Sequence, residues 1–280
     1  MSIVVPAHNE GALVAKTLRS FLNDASVGEF EVIVVANGCS DDTASQARAV
    51  PGVRVIEIAT ASKIAALNAG DRVATSFPRA YIDSDVSVSA SAVRELRHAL
   101  ASEDRARVAS PQMVVDSTKS TWPVRAYYRV WEQSDYLTDG HIGSGIYAVN
   151  ASGRSRWDEF PDLIADDRFV QQRFTAEERI KLDDVFVVTA SRSMSAHIRR
   201  GVRIERGNQQ LPSHVQRASQ KPAASRYLSL LRKVGARPAL WPSLPVYLFG
   251  FASVKLRARR DRQRPITWAR DSSSREAVTR

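Results

Sequence analysis

The chain has 280 residues, 44% of them apolar, and a single cysteine, Cys39; it can bury one large domain or two small ones, and neither a disulfide framework nor a cysteine-rich zinc site is open to it. The formal charge of +10 is uneven, since residues 197–280 carry 19 Lys and Arg against 4 Asp and Glu while residues 1–196 carry 21 against 26. A basic C-terminal third suits an anionic partner or a solvated Arg-rich tail, and says nothing of the acidic remainder.

Strand and helix signals alternate through the first hundred residues. Ile3–Val5 is a short apolar run without the basic start and long apolar stretch of a secretory signal, so none is expected. Ala12–Phe21 has helical spacing through Leu13, Leu18 and Leu22, and Glu31–Val35 reads as a second strand. Asn37-Gly38 marks a turn, and Ser40–Asp42 offers cap chemistry for a helix through Ala49. Val53–Ile58 is a third strand, Ile64–Ala69 begins a helix, and Ala80–Ile82 is a fourth strand running into Asp83-Ser84-Asp85. This rhythm predicts an α/β fold with a mostly parallel sheet covered by helices.

Beyond residue 105 the rhythm changes. Val108–Val115 reads as a strand and Val124–Leu137 as a helix carrying Tyr127, Tyr128, Trp131 and Tyr136. Gly143-Ser144-Gly145 precedes the apolar Ile146–Val149, Asp166-Asp167 opens a helix through Phe174, and Val185–Thr189 is a last strand. From about Pro212 the composition turns to Gln, Ser, Arg and Pro. Pro238–Val254 then offers 17 residues without a charge, followed by six Lys and Arg within Lys255–Arg264. Seventeen is the short end of a spanning helix, and Pro238, Pro242 and Pro245 weaken its first half. The expectation is an interfacial or re-entrant hairpin with Trp241 and Tyr247 at headgroup depth, or else a buried helix.

Asp83 and Asp85 stand one residue apart at the carboxyl end of a strand, where open α/β sheets bind ligands. Such a pair suits Mg²⁺ or Mn²⁺ carrying a diphosphate, although DxD alone also occurs as ordinary turn chemistry. No G-x-G-x-x-G follows the first strand, and no P-loop is present.

Four segments occur in order: Val4-Val5-Pro6-Ala7-His8-Asn9-Glu10, Val34-Val35-Ala36-Asn37-Gly38-Cys39-Ser40-Asp41-Asp42-Thr43, Lys63-Ile64-Ala65-Ala66-Leu67-Asn68-Ala69-Gly70, and Tyr81-Ile82-Asp83-Ser84-Asp85. Together they resemble the N-terminal half of family 2 glycosyltransferases. The resemblance is close over about residues 1–90 and looser over 140–207. It implies a GT-A fold, with residues 1–211 as the catalytic domain (1–105 for the nucleotide, 106–211 for the acceptor). Residues 212–280 would then be a basic, membrane-associating extension. It also implies inverting transfer of a sugar from a nucleotide-diphospho-sugar to a hydroxyl acceptor, lipid-linked, glycan or small.

The same resemblance assigns Pro6, Ala7, His8, Glu10, Asn37, Lys63, Asn68, Asp83 and Ser84 to the donor. Asn37 stands where many members carry an Asp that reads the base, and Asn both donates and accepts. Asp83 and Asp85 would hold Mn²⁺ or Mg²⁺, with His197 completing the shell. Asp167 would be the general base, with Asp166 second in line. Arg200 and Arg203, in the cluster Arg199–Arg206, resemble a mobile basic loop that clamps the diphosphate. Asp41-Asp42 reads as a helix start. Tyr127, Tyr128 and Trp131 are an acceptor platform or core. A cytoplasmic protein at the inner face of the plasma membrane, with no nucleic-acid partner, is expected. The rival readings are an inactive nucleotide- or membrane-surface-binding protein on the same scaffold, and a sugar-phosphate nucleotidylyltransferase; the latter would want a Gly-rich loop with Arg and Lys where Ala7–Glu10 stands.

Overall fold

The computed structural model describes residues 1–102, 105–136, 142–211 and 223–262. It divides into two compact units, Met1–Val114 with Ile142–Val188, and Val115–His141 with Thr189–Arg280.

In the first unit, strands β1 (Ser2–Ala7), β2 (Glu31–Asn37), β3 (Val53–Ile58) and β4 (Arg79–Ile82) alternate with helices α1 (Gly11–Leu22), α2 (Thr43–Arg48) and α3 (Lys63–Val73). These four strands pair in parallel, in the order β3-β2-β1-β4. β1 and β2 are buried on both faces, which is why they read as unbroken apolar runs. Alternate side chains feed two cores. Ile3, Val5, Val32 and Val34 pack with Val14, Leu18 and Phe21 of α1. Ile33 and Val35 pack with Ala66 of α3 on the other face. At the sheet edge, β3 exposes Arg54 and Glu57.

The sheet continues past β4 with antiparallel strands. β5 (Val86–Val88), β6 (Val108–Asp116), β7 (Ile146–Val149) and β8 (Arg179–Thr189) complete an eight-stranded sheet in the order β3-β2-β1-β4-β7-β6-β8-β5. β7 runs against β4 with Tyr81 opposite Tyr147. Helix α4 (Ala90–Ala99), not expected from the sequence, starts at Ser89, whose Oγ accepts Ala92 N–H at 3.1 Å. β8 begins six residues earlier than the apolar run Val185–Thr189 suggested, because Asp183 and Asp184 interrupt its pattern.

The second unit is helical. It holds α5 (Trp122–Trp131), α8 (Met194–Gln209), α9 (Ala223–Gly235) and α10 (Leu244–Arg260), with a 3₁₀ turn over Pro238–Ser243; the short α6 (Ala151–Arg154) and α7 (Asp166–Gln171) belong to the first unit. Tyr127, Val130, Leu230, Val234, Leu240 and Tyr247 form its core. Three expectations need correction. The aromatic helix ends at Trp131, and Leu137 lies outside the described residues. Arg199–Arg206 is not a loop but the middle of α8, whose start is capped by Ser193. Pro238–Val254 is no hairpin: Pro238 and Pro245 fall in the first turns of the 3₁₀ turn and of α10, where a missing N–H costs nothing, Pro242 lies inside the 3₁₀ turn, and the helix then runs to Arg260. Among the described residues no helix is long and apolar enough to cross a membrane. Residues 212–222 and 263–280 of the basic extension, Arg264 included, lie outside the described residues.

One buried charge network fixes α3 to the sheet. The Asp71 carboxylate accepts from Arg79 Nη1 (2.6 Å), Arg154 Nε (2.7 Å) and the Tyr81 hydroxyl (2.7 Å). Asp71 and Arg79 are both buried. Removing one partner of such a set leaves the others charged and unmatched. We expect Asp71→Ala to cost about 3–5 kcal/mol of stability, read as a lower urea midpoint.

Candidate active site

The acidic strand end is organised by one lysine. Lys63, the first residue of α3, places its ammonium 2.7 Å from Asp83 Oδ1 and 2.8 Å from Asp166 Oδ1. Asp83 follows β4, and its N–H donates to Gly145 O at 2.7 Å. Burial pushes its carboxyl up to about 6; Lys63 opposes that shift, while Asp166 and Asp85 reinforce it. Asp166 is buried and shifted upward for the same reason, with Lys63 pulling the other way. Burial drives the Lys63 ammonium the opposite way from its two carboxylates, and they prevail, so its proton is held more tightly than usual. Asp166 Oδ2 also accepts from the Tyr147 hydroxyl at 3.3 Å.

Asp167 differs from its neighbour. It is partly exposed, and its two oxygens accept Ser144 N–H (2.9 Å) and Arg168 N–H (2.7 Å). The Gly143-Ser144-Gly145 turn makes this possible, with φ of +107°, +67° and +126°. A Cβ at Gly143 would lie 2.4 Å from Asp167 Cβ, and one at Gly145 would lie 2.6 Å from Val86 Cγ2 and 3.9 Å from Asp83 Oδ2. The turn therefore touches both ends of the acidic edge with bare backbone.

The donor residues predicted from the sequence line the ends of β1, β2 and α3. His8 Nδ1 is 2.6 Å from Asn37 O. Asn37 is fully buried, its Nδ2 donating to Ala7 O at 2.8 Å, while its Oδ1 has no hydrogen-bond partner. Pro6 and Ala7 are strand residues paired with Val35 and Ala36. Glu10 is buried at the start of α1, its N–H on Thr43 Oγ1 at 2.7 Å. Asn68 braces a loop, giving and taking one bond each with Phe160 backbone, at 3.0 and 2.8 Å. Ser84 is buried, and its carbonyl accepts the Thr17 hydroxyl at 2.8 Å. Asp41 caps the α1 start and its own helix, accepting Gly11 and Thr43 N–H at 3.0 Å each.

Asp83 and the exposed Asp85 are hard oxygen donors, and two carboxylates plus substrate phosphates form an ordinary shell for Mg²⁺ or Mn²⁺. The pair fits such an ion. Among the described residues no three His, Cys, Asp or Glu side chains gather as a ligand set. His197 sits in the second unit, buried between the rings of Tyr127 (4.2 Å) and Tyr128 (5.4 Å), with Nδ1 unpartnered. Arg200 and Arg203 lie on the same helix, Arg200 donating to Thr189 O at 3.2 Å. Tyr127, Tyr128 and Trp131 pack in the second unit's core. Tyr147 and Thr17 escaped the sequence reading; neither stands in a motif, and only the pairing of β7 with β4 places Tyr147 at the site.

The family described as "Glycosyl transferase family 2" matches residues 2–160. No curated protein matches the chain. Among solved structures, the fold is similar to the mannosyltransferase PcManGT from Pyrobaculum calidifontis, crystallised with GDP-Man and Mn²⁺. The identity there is 19%, over 92% of this chain and 77% of that one, with a TM-score of 0.58. It is also similar to S. aureus TarS, at 16% identity over 82% of this chain and 42% of that chain, TM-score 0.50. The chain thus spans less than half the length of TarS. These likenesses bear out the expected GT-A fold, a mixed sheet with helices against its faces.

The burial of His197 has a measurable consequence. Desolvation, aided by Arg200, lowers its pKa from 6.5 to about 4. The unfolded chain takes up a proton below pH 6.5 that the folded state refuses, so stability is lost as pH falls from about 6.5 to about 4. In a His197→Phe variant we expect the loss of stability between pH 7 and pH 4.5 to shrink by about 2–3 kcal/mol, measured by urea titration at each pH.

Proposed function

Because the chain belongs to glycosyl transferase family 2, we propose that it transfers a sugar from a nucleotide-diphospho-sugar to an acceptor hydroxyl, with inversion and with Asp167 as the general base. The observation that carries this reading is the Gly143–Gly145 turn, which lies against Asp83 at one end and Asp167 at the other. The donor's diphosphate and the base are thereby given neighbouring places on one edge. Asp166, buried and tied to Lys63 and Tyr147, is the structural member of the pair, and Asp167, partly exposed, is free to face an acceptor.

In this reading Asp167 takes the acceptor proton as that oxygen attacks the anomeric carbon. The bond to the diphosphate breaks with its electron pair on the leaving oxygen. One displacement gives one inversion. Asp83 and Asp85 would hold a divalent cation, Mn²⁺ or Mg²⁺, which would supply charge for the leaving diphosphate. Two N–H groups fix the direction of the Asp167 carboxylate, so the base is oriented before the acceptor arrives. The β1 and β2 ends, with Asn37 and the His8 ring, take the nucleoside. Residues 1–211 are read as the catalytic domain and the basic 212–280 as its extension, whose helices α9 and α10 share a core with α5.

A second element of the reading concerns where the reaction takes place. Along α10 the exposed positions Pro245, Leu248, Phe249, Ala252 and Leu256 recur at helical spacing, and all are apolar. Arg257, Arg259 and Arg260 follow in the last turn. A solvated helix ordinarily turns its polar face outward. Apolar area beside a basic cluster suits the surface of an anionic leaflet, and this supports a peripheral position on the cytoplasmic face with a lipid-linked acceptor as the favoured class.

Asp167→Asn is expected to lower kcat on the order of a hundred-fold or more while nucleotide-sugar affinity, measured by calorimetry, stays within a few-fold. An inactive Asp166→Asn beside an active Asp167→Asn would reassign the base. For the surface reading, the full chain is expected to co-sediment with vesicles containing phosphatidylserine, and a Leu248→Glu/Phe249→Glu double variant to remain in the supernatant; equal partitioning of the two removes it.

A further inference from the structure

The acidic edge already holds a cation, and the chain itself supplies it. Lys63 Nζ lies within 2.8 Å of one oxygen each of Asp83 and Asp166. Its backbone is fixed in place: Ser62 caps α3 by accepting Ala65 N–H at 3.2 Å, and Gly70 further along packs so close to β1 that a Cβ there would meet Val4 Cγ1 at 2.4 Å. We infer that Lys63 is a resident counter-ion that keeps a divalent cation off Asp83 until a nucleoside diphosphate arrives, so that metal and nucleotide bind as a pair. This rests on the reading of Asp83 and Asp85 as the cation's carboxylates.

The exclusion is electrostatic. Asp83 Oδ1 is engaged by the ammonium, and a divalent ion on the same carboxylate would sit a few ångströms from it. Like charges at that range repel strongly where water is scarce, and Lys63 and Asp83 are both largely covered. No third carboxylate or imidazole joins Asp83 and Asp85 among the described residues. Metal alone therefore meets a half-occupied pair of ligands and a neighbouring positive charge. A diphosphate changes both terms. It gives oxygens to the metal, and it gives the ammonium, which has three protons to donate, a further acceptor. By linkage each ligand then tightens the other to the same degree. A lysine that merely neutralised buried acids would stabilise the fold without imposing this coupling.

The test is Mn²⁺ titration of the full-length protein, with free Mn²⁺ read by electron paramagnetic resonance, in the absence of nucleotide and with UDP or GDP. Wild type and Lys63→Arg are expected to bind Mn²⁺ alone at least tenfold more weakly than with whichever nucleotide binds. Lys63→Met should bind Mn²⁺ alone at least tenfold more tightly than wild type, with the nucleotide adding less. A Lys63→Met/Asp166→Asn double variant, which removes one charge of each sign, guards against loss of folding and should show the same gain. Mn²⁺ alone should also raise the Tm of both variants more than that of wild type. Metal-only affinity unchanged or weaker in both variants, with nucleotide-dependent Mn²⁺ binding intact in wild type, overturns the counter-ion role and leaves the metal reading standing. Absence of Mn²⁺ binding by any of the proteins, with either nucleotide, removes both.

Discussion

Carboxylates gathered at the end of a parallel sheet repel one another, and the structure answers that repulsion with one ammonium. Lys63 joins Asp83, which follows β4, to Asp166, which opens α7. At the other end of α3, Asp71 is held by Arg79 of β4 and Arg154 of α6. One helix is thus fastened at both ends by cation–carboxylate contacts of opposite sense, the helix giving the cation at its start and the anion at its finish. Between them, Gly70 lets it lie close on Val4 and Val35. The position of Asp83 is consequently not a local property of a D-S-D turn. It is set by a helix whose register cannot shift without breaking one charged contact or the other.

The parallel half of the sheet was legible because β1, β2 and β4 are buried on both faces and so read as short apolar runs. Val53–Ile58 and Ile146–Val149 are found with the bounds read from sequence. β5 was invisible since three residues hold too little alternation to register, and α4 mixes Arg94, Glu95, Arg97 and His98 among its apolar positions. The Asp83–Asp85 pair and the Asp166–Asp167 pair stood out as short acidic motifs. What sequence could not supply was the difference between the two aspartates of the second pair. Burial of Asp166 and partial exposure of Asp167 arise from Lys63 and from the backbone of Gly143–Gly145, both distant in the chain. The reading of Arg199–Arg206 as a loop came from the resemblance alone; the segment is helical, and Gly201 within it admits Val254 of α10 at close range.

The second unit combines polar rings in its core with apolar side chains on one exposed helix face. Its buried side holds tyrosines and a histidine, His197, whose ring is enclosed by Tyr127 and Tyr128. Its exposed side carries Leu248, Phe249 and Leu256 at 51%, 62% and 64% exposure. Exposing alkyl and phenyl groups along one helix is unfavourable in water alone.

The way the second unit is threaded bears on how the protein is made. Its first helix, α5, is complete by residue 131, but the Tyr247 and Leu244 that cover Tyr127 come more than a hundred positions later. At a synthesis rate of about 5–20 residues per second, the apolar side of α5 leaves the ribosome on the order of ten seconds before its cover exists. The first unit, by contrast, has all its strands by residue 189. A growing chain therefore holds every strand of its sheet before the last cover of α5 has been made. That interval, more than the finished protein, is when a holding chaperone has something to grip.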